Sequence, residues 1–236
     1  PQEIADKEAA AKFIEAVGQF ERIMNDSGFV TLTRLAASEI TGQDGKAGII
    51  EKYFSLSQTD TTCLKDIGLY PEEMRVGDDI LCLHTLSDVE DLPGKVGTDC
   101  RFEKLSTDRS DCRLSFAAPV GVLLSCNHVY NQFIFIDDHA ENLKNFEQTA
   151  RNMQSLSRYS RANQVNKEWI DEYLNEAHSK GLISVRCHCN VMAWSDDREE
   201  LKRIRNDVGS QLALMECKPR HNTTDTPTLF WAGIPG

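Results

Sequence analysis

The sequence has no long hydrophobic run and no excess of positive charge. Its best apolar stretches, at 120–124 and 133–136, have the length of a β-strand, whereas a helix that spans a membrane needs about 20 apolar residues. The 236 residues carry a formal net charge of −11, and attraction to phosphate groups depends on Lys and Arg. The composition therefore argues against a membrane-spanning helix and against a general binder of nucleic acid or anionic membranes, and leaves room only for a local basic patch.

The eight cysteines lack the spacing of a disulfide or zinc framework. They stand at positions 63, 82, 100, 112, 126, 187, 189 and 217 and form no C-x-x-C pair. Cysteines without such pairing usually behave as small buried hydrophobic groups. We therefore expect reduced thiols in a cytosolic setting.

A nucleotide-binding loop is also lacking. The segment GQDGKAG at 42–48 has two residues between Gly42 and Gly45 and carries Ala47 after its lysine, whereas the P-loop pattern is G-x-x-x-x-G-K-[ST]. We interpret Asp44-Gly45 as a turn and expect no ATP site. The chain begins at Pro1 without Met or a signal segment and ends in the apolar LFWAGIPG, so we expect a piece of a longer protein.

What the sequence does contain is a succession of helix and strand patterns. Apolar periodicity predicts helices over 4–24, 46–56, 138–153, 165–180 and 198–214, with acidic N-caps before the third and the last. β-rich runs predict strands over 29–35, 80–86, 112–116, 121–125, 129–136, 184–194 and 216–221. Residues 88–111 are predicted to be a long loop, or to hold a strand near 100–105.

The order of these elements indicates the fold class. Strands with hairpin-like neighbours, placed beside helices, predict an α+β domain with a mixed or mainly antiparallel sheet. The β-β-α-α-β-α order of the second half suits a ferredoxin-like layout.

Two thiols and an imidazole stand together in SVRCHCNVMAW at 184–194. On a strand, Cys187 and Cys189 share one face and His188 points to the other, so only the thiols can meet one metal ion. A structural zinc site is four-coordinate, so two more ligands would have to come from elsewhere, with Cys217 and His221 as the candidates. The alternative is an apolar face on which both thiols pack with Val185, Val191 and Ala193. We expect packed, reduced thiols and keep a thiol- or zinc-dependent module as the alternative.

The segment CNH at 126–128 is a second place where a thiol stands near an imidazole. A nucleophilic Cys126 would need His128, or His139 further along, as its base. Neighbours at this spacing seldom have the required geometry, so we expect no catalytic residue here.

A basic, aromatic-bearing segment, ARNMQSLSRYSRANQ, is the local exception to the acidic composition. Its residues able to meet phosphate are Arg151, Arg158, Tyr159 and Arg161. The competing interpretation is a solvated helix face, because the surroundings are acidic.

Several longer segments carry an ordered similarity to one family. Those toward the C-terminus are WIDEYLNEAHSKGL, VMAWSDDREELKRIRNDVGSQL and TPTLFWAGIPG, and the earlier ones are KFIEAVGQFERIMNDSGF, EKYFSLSQTDTTCL, LCLHTLSDVEDLPGKVGTD and LSRYSRANQ. Together they resemble the conjugation ATPases of type IV secretion systems, the CagE/TrbE group, and most closely the TraG proteins of Bacteroides-type conjugative transposons. The resemblance covers nearly the whole chain and rests on the order of the segments.

The resemblance implies a motor-ATPase subunit at the cytoplasmic face of the bacterial inner membrane, acting in DNA transfer. The family's site for ATP and magnesium lies in a RecA-like domain beyond this chain's C-terminus, so no catalytic or cofactor-binding residue is placed here. Residues 1–221 would form a non-catalytic N-terminal accessory domain, with 88–111 as the candidate sub-boundary, and 222–236 would lead toward the ATPase domain.

The partners that the resemblance implies are other subunits and channel proteins of the conjugation apparatus. It also implies an oligomeric full-length protein and peripheral membrane association through those partners. Direct contact with nucleic acid is left open.

Overall fold

The structure, a computed structural model, describes residues 2–28, 30–57, 59, 65–93, 96, 100–101, 103, 106–157 and 159–234. The chain divides into two compact units, one up to Lys65 and the other Asp66–Ile234. None of the helices within the described residues combines the length and the apolar composition needed to cross a bilayer.

The first unit is helical, with α1 at Gln2–Asp26, α2 at Ala37–Thr41 and α3 at Ile49–Ser55. The predicted strand at 29–35 is wrong, because residues 30–35 form no strand, while Phe29 lies outside the described residues. Side-chain contacts hold this segment against α1. Asn25 Oδ1 accepts from the Leu32 amide at 2.6 Å, and Arg34 pairs with Glu21 at 2.8 Å. β-propensity alone does not make a strand without a neighbouring strand to pair with.

The turn predicted at Asp44-Gly45 is confirmed. Gln43 and Lys46 exchange backbone hydrogen bonds of 3.0 and 2.9 Å across it. Gly45 has a φ of +77°, a conformation that glycine adopts without steric cost.

The second unit holds the sheets and the remaining helices. In chain order its elements are β1 Ile67–Leu69, β2 Met74–Val76, β3 Asp79–Leu86, a 3-10 turn at Val89–Asp91, β4 Cys100–Arg101, β5 Arg113–Leu114, α4 Ala118–Leu123, β6 His128–Ile136, α5 His139–Leu156, α6 Arg161–Lys180, β7 Val185–Ser195, α7 Arg198–Leu214, β8 Arg220–Asn222 and α8 Thr226–Ala232. β4 pairs with β5, which confirms a strand near 100–105, and the other six strands form one antiparallel sheet.

The order of strands in the main sheet is that of a ferredoxin-like domain. β8, β3, β7 and β6 lie side by side, and every neighbouring pair is antiparallel. β3 therefore runs parallel to β6 with β7 between them, and β7 runs parallel to β8 with β3 between them. The first connection passes through α4 and the second through α7, and these two helices pack together. Two such split β-α-β units make the ferredoxin-like layout, so the predicted α+β class and antiparallel sheet are confirmed.

The helix α4 corrects the strand predicted at 121–125. Pro119 stands in its first turn, where a proline is tolerated, and Val120 is buried beside α7. A short apolar run cannot be assigned to helix or strand from its periodicity, and here the contact with α7 decides.

The helices α5 and α6 form a hairpin inserted between β6 and β7. Asp138 caps α5 by accepting from the Glu141 amide at 2.9 Å, as predicted. Gly181 ends α6 with a φ of +65°. At the base of the hairpin the Asn142 side chain donates to Ser184 Oγ at 3.2 Å.

The core lies between the sheet and α7. Register pairs Cys82 with Ala193 and Leu86 with Cys189, so alternate residues of β3 and β7 face the helix. The buried cluster on this face consists of Leu86, Val120, Cys189, Val191, Ala193, Ile204, Val208, Leu212, Met215 and Cys217. Helix α7 occupies 198–214 as predicted.

The C-terminal elements differ in extent from the sequence patterns. The strand predicted at 216–221 is β8 at Arg220–Asn222, and residues 226–232 form α8, in which Phe230 is buried.

Candidate functional site

The predicted alternation of SVRCHCNVMAW is confirmed by the pairing of β7. Cys187 and Cys189 lie on the face toward α7, with their Sγ atoms 3.5 Å apart. His188 lies on the other face, where its ring is 6.2 Å from that of Phe133 and its Nε2 is 3.1 Å from the Asn190 side chain. The imidazole therefore cannot act together with either thiol.

Two of the thiols on this face, Cys189 and Cys217, are held in their protonated form. Burial raises the pKa of Cys189 to about 11, against a smaller opposing effect of the Tyr130 hydroxyl. Burial also raises the pKa of Cys217 to about 11, and the nearby Asp91 adds to that effect. Because the thiolate is the nucleophile and the metal ligand, neutral thiols such as these are weak in both roles.

The four metal candidates do not come together as one set. Cys187, Cys189 and Cys217 share the core cluster, whereas His221 on β8 stacks against His84, with ring centroids 5.4 Å apart. Within the part of the chain that the structure describes, no three His, Cys, Asp or Glu side chains could hold one metal ion. The six cysteines whose side chains are described are all free, namely Cys82, Cys112, Cys126, Cys187, Cys189 and Cys217; Cys63 and the side chain of Cys100 lie outside the described residues.

The thiol and imidazole of CNH do not form a catalytic pair. His128 Nδ1 lies 2.9 Å from the backbone carbonyl of Cys126, so the ring bonds the main chain instead of the sulfur. Burial raises the pKa of Cys126 above the ordinary thiol range. His139 begins α5, and its Nδ1 is buried without a hydrogen-bond partner among the described residues.

The basic segment lies where α5 meets α6, at the end of the hairpin opposite the sheet. Arg151 pairs with Glu147 at 3.5 Å, and Arg161 opens α6. Tyr159 between the helices is 85% exposed, and Arg158 lies outside the described residues. Contact between this segment and nucleic acid stays a prediction.

An apolar patch lies on the edge strand β6 and the adjoining start of β7. Ile134, Phe135 and Ile136 are 56, 50 and 76% exposed, and Val185 opposite Ile136 is 48% exposed. Among the described residues β6 pairs only with β7, so its other edge carries unpaired backbone groups. We call Ile134, Phe135, Ile136 and Val185 the β6 edge patch.

A cleft beside α7 brings His221, a metal candidate from the sequence, together with two residues that the sequence patterns did not single out, His84 and Arg205. His84 of β3 lies at its buried side and His221 of β8 lies opposite, while Arg205 of α7 borders it. The sequence signal for His84 was its position as an imidazole within the apolar run ILCLHTL. Arg205 and His221 stand more than a hundred residues later in the chain than His84, so only the β3–β8 pairing and the packing of α7 bring the three together.

No model of a known protein family matches this chain, and no curated protein matches it significantly.

Proposed function

We propose that this chain is a non-catalytic interaction domain of a conjugative-transfer ATPase, working at the cytoplasmic face of the inner membrane. Its role is to contact neighbouring subunits and channel proteins of the transfer apparatus. The ordered resemblance to TraG proteins supports the family, and the ATP- and magnesium-dependent chemistry belongs to the motor domain that the resemblance implies.

The observation that carries the interaction role is the β6 edge patch. An open strand edge offers unpaired N–H and C=O groups, and soluble proteins usually protect such edges with Lys, Pro or a short strand. β6 has nine residues, HVYNQFIFI, with neither Lys nor Pro. Its exposed end is aliphatic and aromatic, which favours addition of a partner strand.

The partner that fits this edge is an extended, uncharged and apolar segment of another protein in the apparatus. Main-chain hydrogen bonds to β6 would supply affinity. Apolar side chains of that segment would cover Ile134 and Ile136 on one face of the sheet and Phe135 on the other.

The first test is a binding measurement between the purified chain and the channel proteins encoded beside it. Ile134→Lys should weaken binding by about tenfold or more, because it places a charge in a contact that becomes desolvated. Val122→Lys is the matched control, since Val122 is 63% exposed on α4. Equal binding by both variants and the unchanged chain would remove the β6 edge from the proposal.

The second test concerns the family. The encoding gene should continue past Gly236 into a motor domain containing G-x-x-x-x-G-K-[ST], and the purified 236-residue chain should not hydrolyse ATP. A gene without that motif, or hydrolysis by the chain alone, would contradict the proposal.

A thiol- or zinc-dependent module is the second candidate, favoured by the 3.5 Å separation of Cys187 and Cys189 Sγ. Metal analysis of protein prepared with excess zinc separates the two candidates. Stoichiometric zinc that is lost in Cys187→Ser would support this module, and a content far below stoichiometric would reject the zinc form.

A further inference from the structure

The cleft beside α7 is lined by five residues whose side chains donate hydrogen bonds or carry positive charge and by three small or apolar residues. Its volume is about 570 Å³. It is lined by His84, Arg205, Asn206, Gly209, Ser210, Ala213, Pro219 and His221.

The buried side of this cleft is His84, whose side chain is only 4% exposed. Its Nδ1 lies 3.9 Å from Cys82 Sγ, which is a weak contact. No hydrogen bond of its Nε2 is found within the described residues. In the tautomer that carries its proton on Nε2, this ring offers an N–H to a ligand in the cleft.

The fixed charge of the cleft is Arg205. Among the described residues this guanidinium forms no ion pair, in a chain with a net charge of −11. Its positive field and burial both act on the imidazoles, because burial, His221 and Arg205 lower the pKa of His84, and partial burial and Arg205 lower that of His221. The positive field of Arg205 would repel a ligand that is a cation.

Acidic side chains do occur nearby, but most are engaged by other cations. The adjoining groove along α7 shares Arg205 and His221 with the cleft. Within that groove Glu73 pairs with Arg75 and Arg198 at 2.6 and 2.9 Å, and Glu199 pairs with Lys202 at 2.7 Å. Glu72 is the remaining acid of the groove lining. None of these carboxylates forms an ion pair with Arg205 among the described residues.

The cleft also has room over the helix. A Cβ added at Gly209 would meet no atom within 4 Å. Ser210 and Asn206 stand on the same side of α7, where they add a hydroxyl and an amide to the lining. A compact anion with several acceptor oxygens can therefore approach Arg205 and the two imidazoles together.

We propose that this cleft is a binding site for a phosphate-type oxyanion, held by Arg205, His84 and His221. Arginine provides the charge and the fork of donors that suit a tetrahedral oxyanion. The imidazoles supply further N–H donors from β3 and β8. This site is independent of the β6 edge patch and of the proposed ATPase family, and either can fail without the other.

The probe is inorganic phosphate, followed by NMR of the His84 and His221 ring signals and by calorimetry. We expect saturable changes at both rings, with chloride at equal ionic strength giving none. Arg205→Gln should weaken phosphate binding about tenfold, the scale of one hydrogen bond to a charged group. Arg203→Gln is the matched control, because Arg203 is exposed on the same helix as Arg205 but does not line the cleft, and it should leave binding unchanged.

Further experiments test where the anion binds and which anions the site prefers. Gly209→Leu keeps every charge but fills the cleft, so it should also abolish the phosphate effect. Acetate should bind more weakly than phosphate if the site requires several acceptor oxygens. Sulfate, which stays a dianion while phosphate titrates, should bind more tightly as the pH falls from 8 toward 5, because a bound anion favours the protonated form of both imidazoles.

The proposal is overturned if phosphate gives no saturable change at His84 and His221. It is also overturned if Arg203→Gln weakens binding as much as Arg205→Gln, since that result would mean general surface attraction. Binding unaffected by Gly209→Leu would place the anion outside the cleft and would likewise reject the site.

Discussion

His84 illustrates how the surroundings of one residue change its chemistry. Burial, with the neighbouring His221 and Arg205, lowers the pKa of His84 to about 4. The imidazole is therefore neutral in the folded protein at physiological pH. In the unfolded chain the same side chain titrates near 6.5, and this difference links folding to pH.

The consequence is a loss of stability on acidification. Below about pH 6.5 the unfolded chain binds a proton at His84 that the folded chain does not, so the free energy of unfolding falls as the pH drops toward 4. The contribution of this residue is roughly 3 kcal/mol between pH 7 and pH 4. Denaturant unfolding at several pH values measures it, without phosphate in the buffers.

The variant comparison isolates this effect. His84→Gln should flatten the fall in stability between pH 7 and pH 4, whereas His178→Gln, at an exposed position on α6, should leave it unchanged. The same pH slope in His84→Gln as in the unchanged chain would contradict the assignment.

The thiols show what can be predicted at the residue scale from the sequence. The period-2 alternation in SVRCHCNVMAW places Cys187 and Cys189 on one face and His188 on the other, and the structure confirms it. The raised pKa of Cys189 and Cys217 was not predictable in magnitude, because it depends on how much protein covers each sulfur.

At the scale of single elements, caps and periodicity predicted three helices of the second unit, α5, α6 and α7. Asp197 precedes α7 and its Oδ1 accepts from the Glu199 amide at 2.8 Å. This bond satisfies one of the free N–H groups in the first turn of the helix. Asp196, one residue earlier, forms no hydrogen bond within the described residues.

These two neighbouring acids give a matched test of the cap. Asp197→Ala should lower the free energy of unfolding by about 0.5–2 kcal/mol, because the first turn of α7 loses its acceptor. Asp196→Ala removes an equal charge near the same helix end without removing the bond, so it should cost less than about 0.5 kcal/mol. Urea unfolding of both variants measures the difference, and equal losses would reject the capping role.

Two elements were predicted wrongly, for one physical reason. The strand predicted at 121–125 is part of α4, whose Val120 packs beside α7, and the strand predicted at 29–35 is held against α1 by Asn25 and Arg34 instead. In both cases a short apolar or β-branched run has no conformation of its own until a neighbour supplies one.

At the scale of the whole molecule, residues 66–234 contain the ferredoxin-like sheet, its two crossover helices and the complete buried cluster. We therefore expect this unit to fold when expressed without residues 1–65. Because every buried residue of the cluster lies inside it, the shortened protein should unfold in one cooperative transition. Circular dichroism during heating or urea titration measures this, and a gradual, non-cooperative loss of signal would contradict it.

A pair of leucines on α7 verifies that the shortened protein keeps the native core. Leu212 is fully buried and Leu214 is 38% exposed. Leu212→Ala should cost about 2–5 kcal/mol through lost burial and the cavity left behind. Leu214→Ala should cost much less, and equal effects would show that the core is not formed.

The sequence by itself determined the α+β class, most helices with their caps and the central strands. It also determined that Cys187 and Cys189 lie on the same face of their strand. These features depend on local periodicity and capping, which the chain carries within a few residues. Tertiary structure alone decided that 118–123 is a helix and that β6 lies at the edge of the sheet that the described residues form. It also alone placed His84, His221 and Arg205 around one cleft, because residues so distant in sequence meet only through strand pairing and the packing of α7 on the sheet.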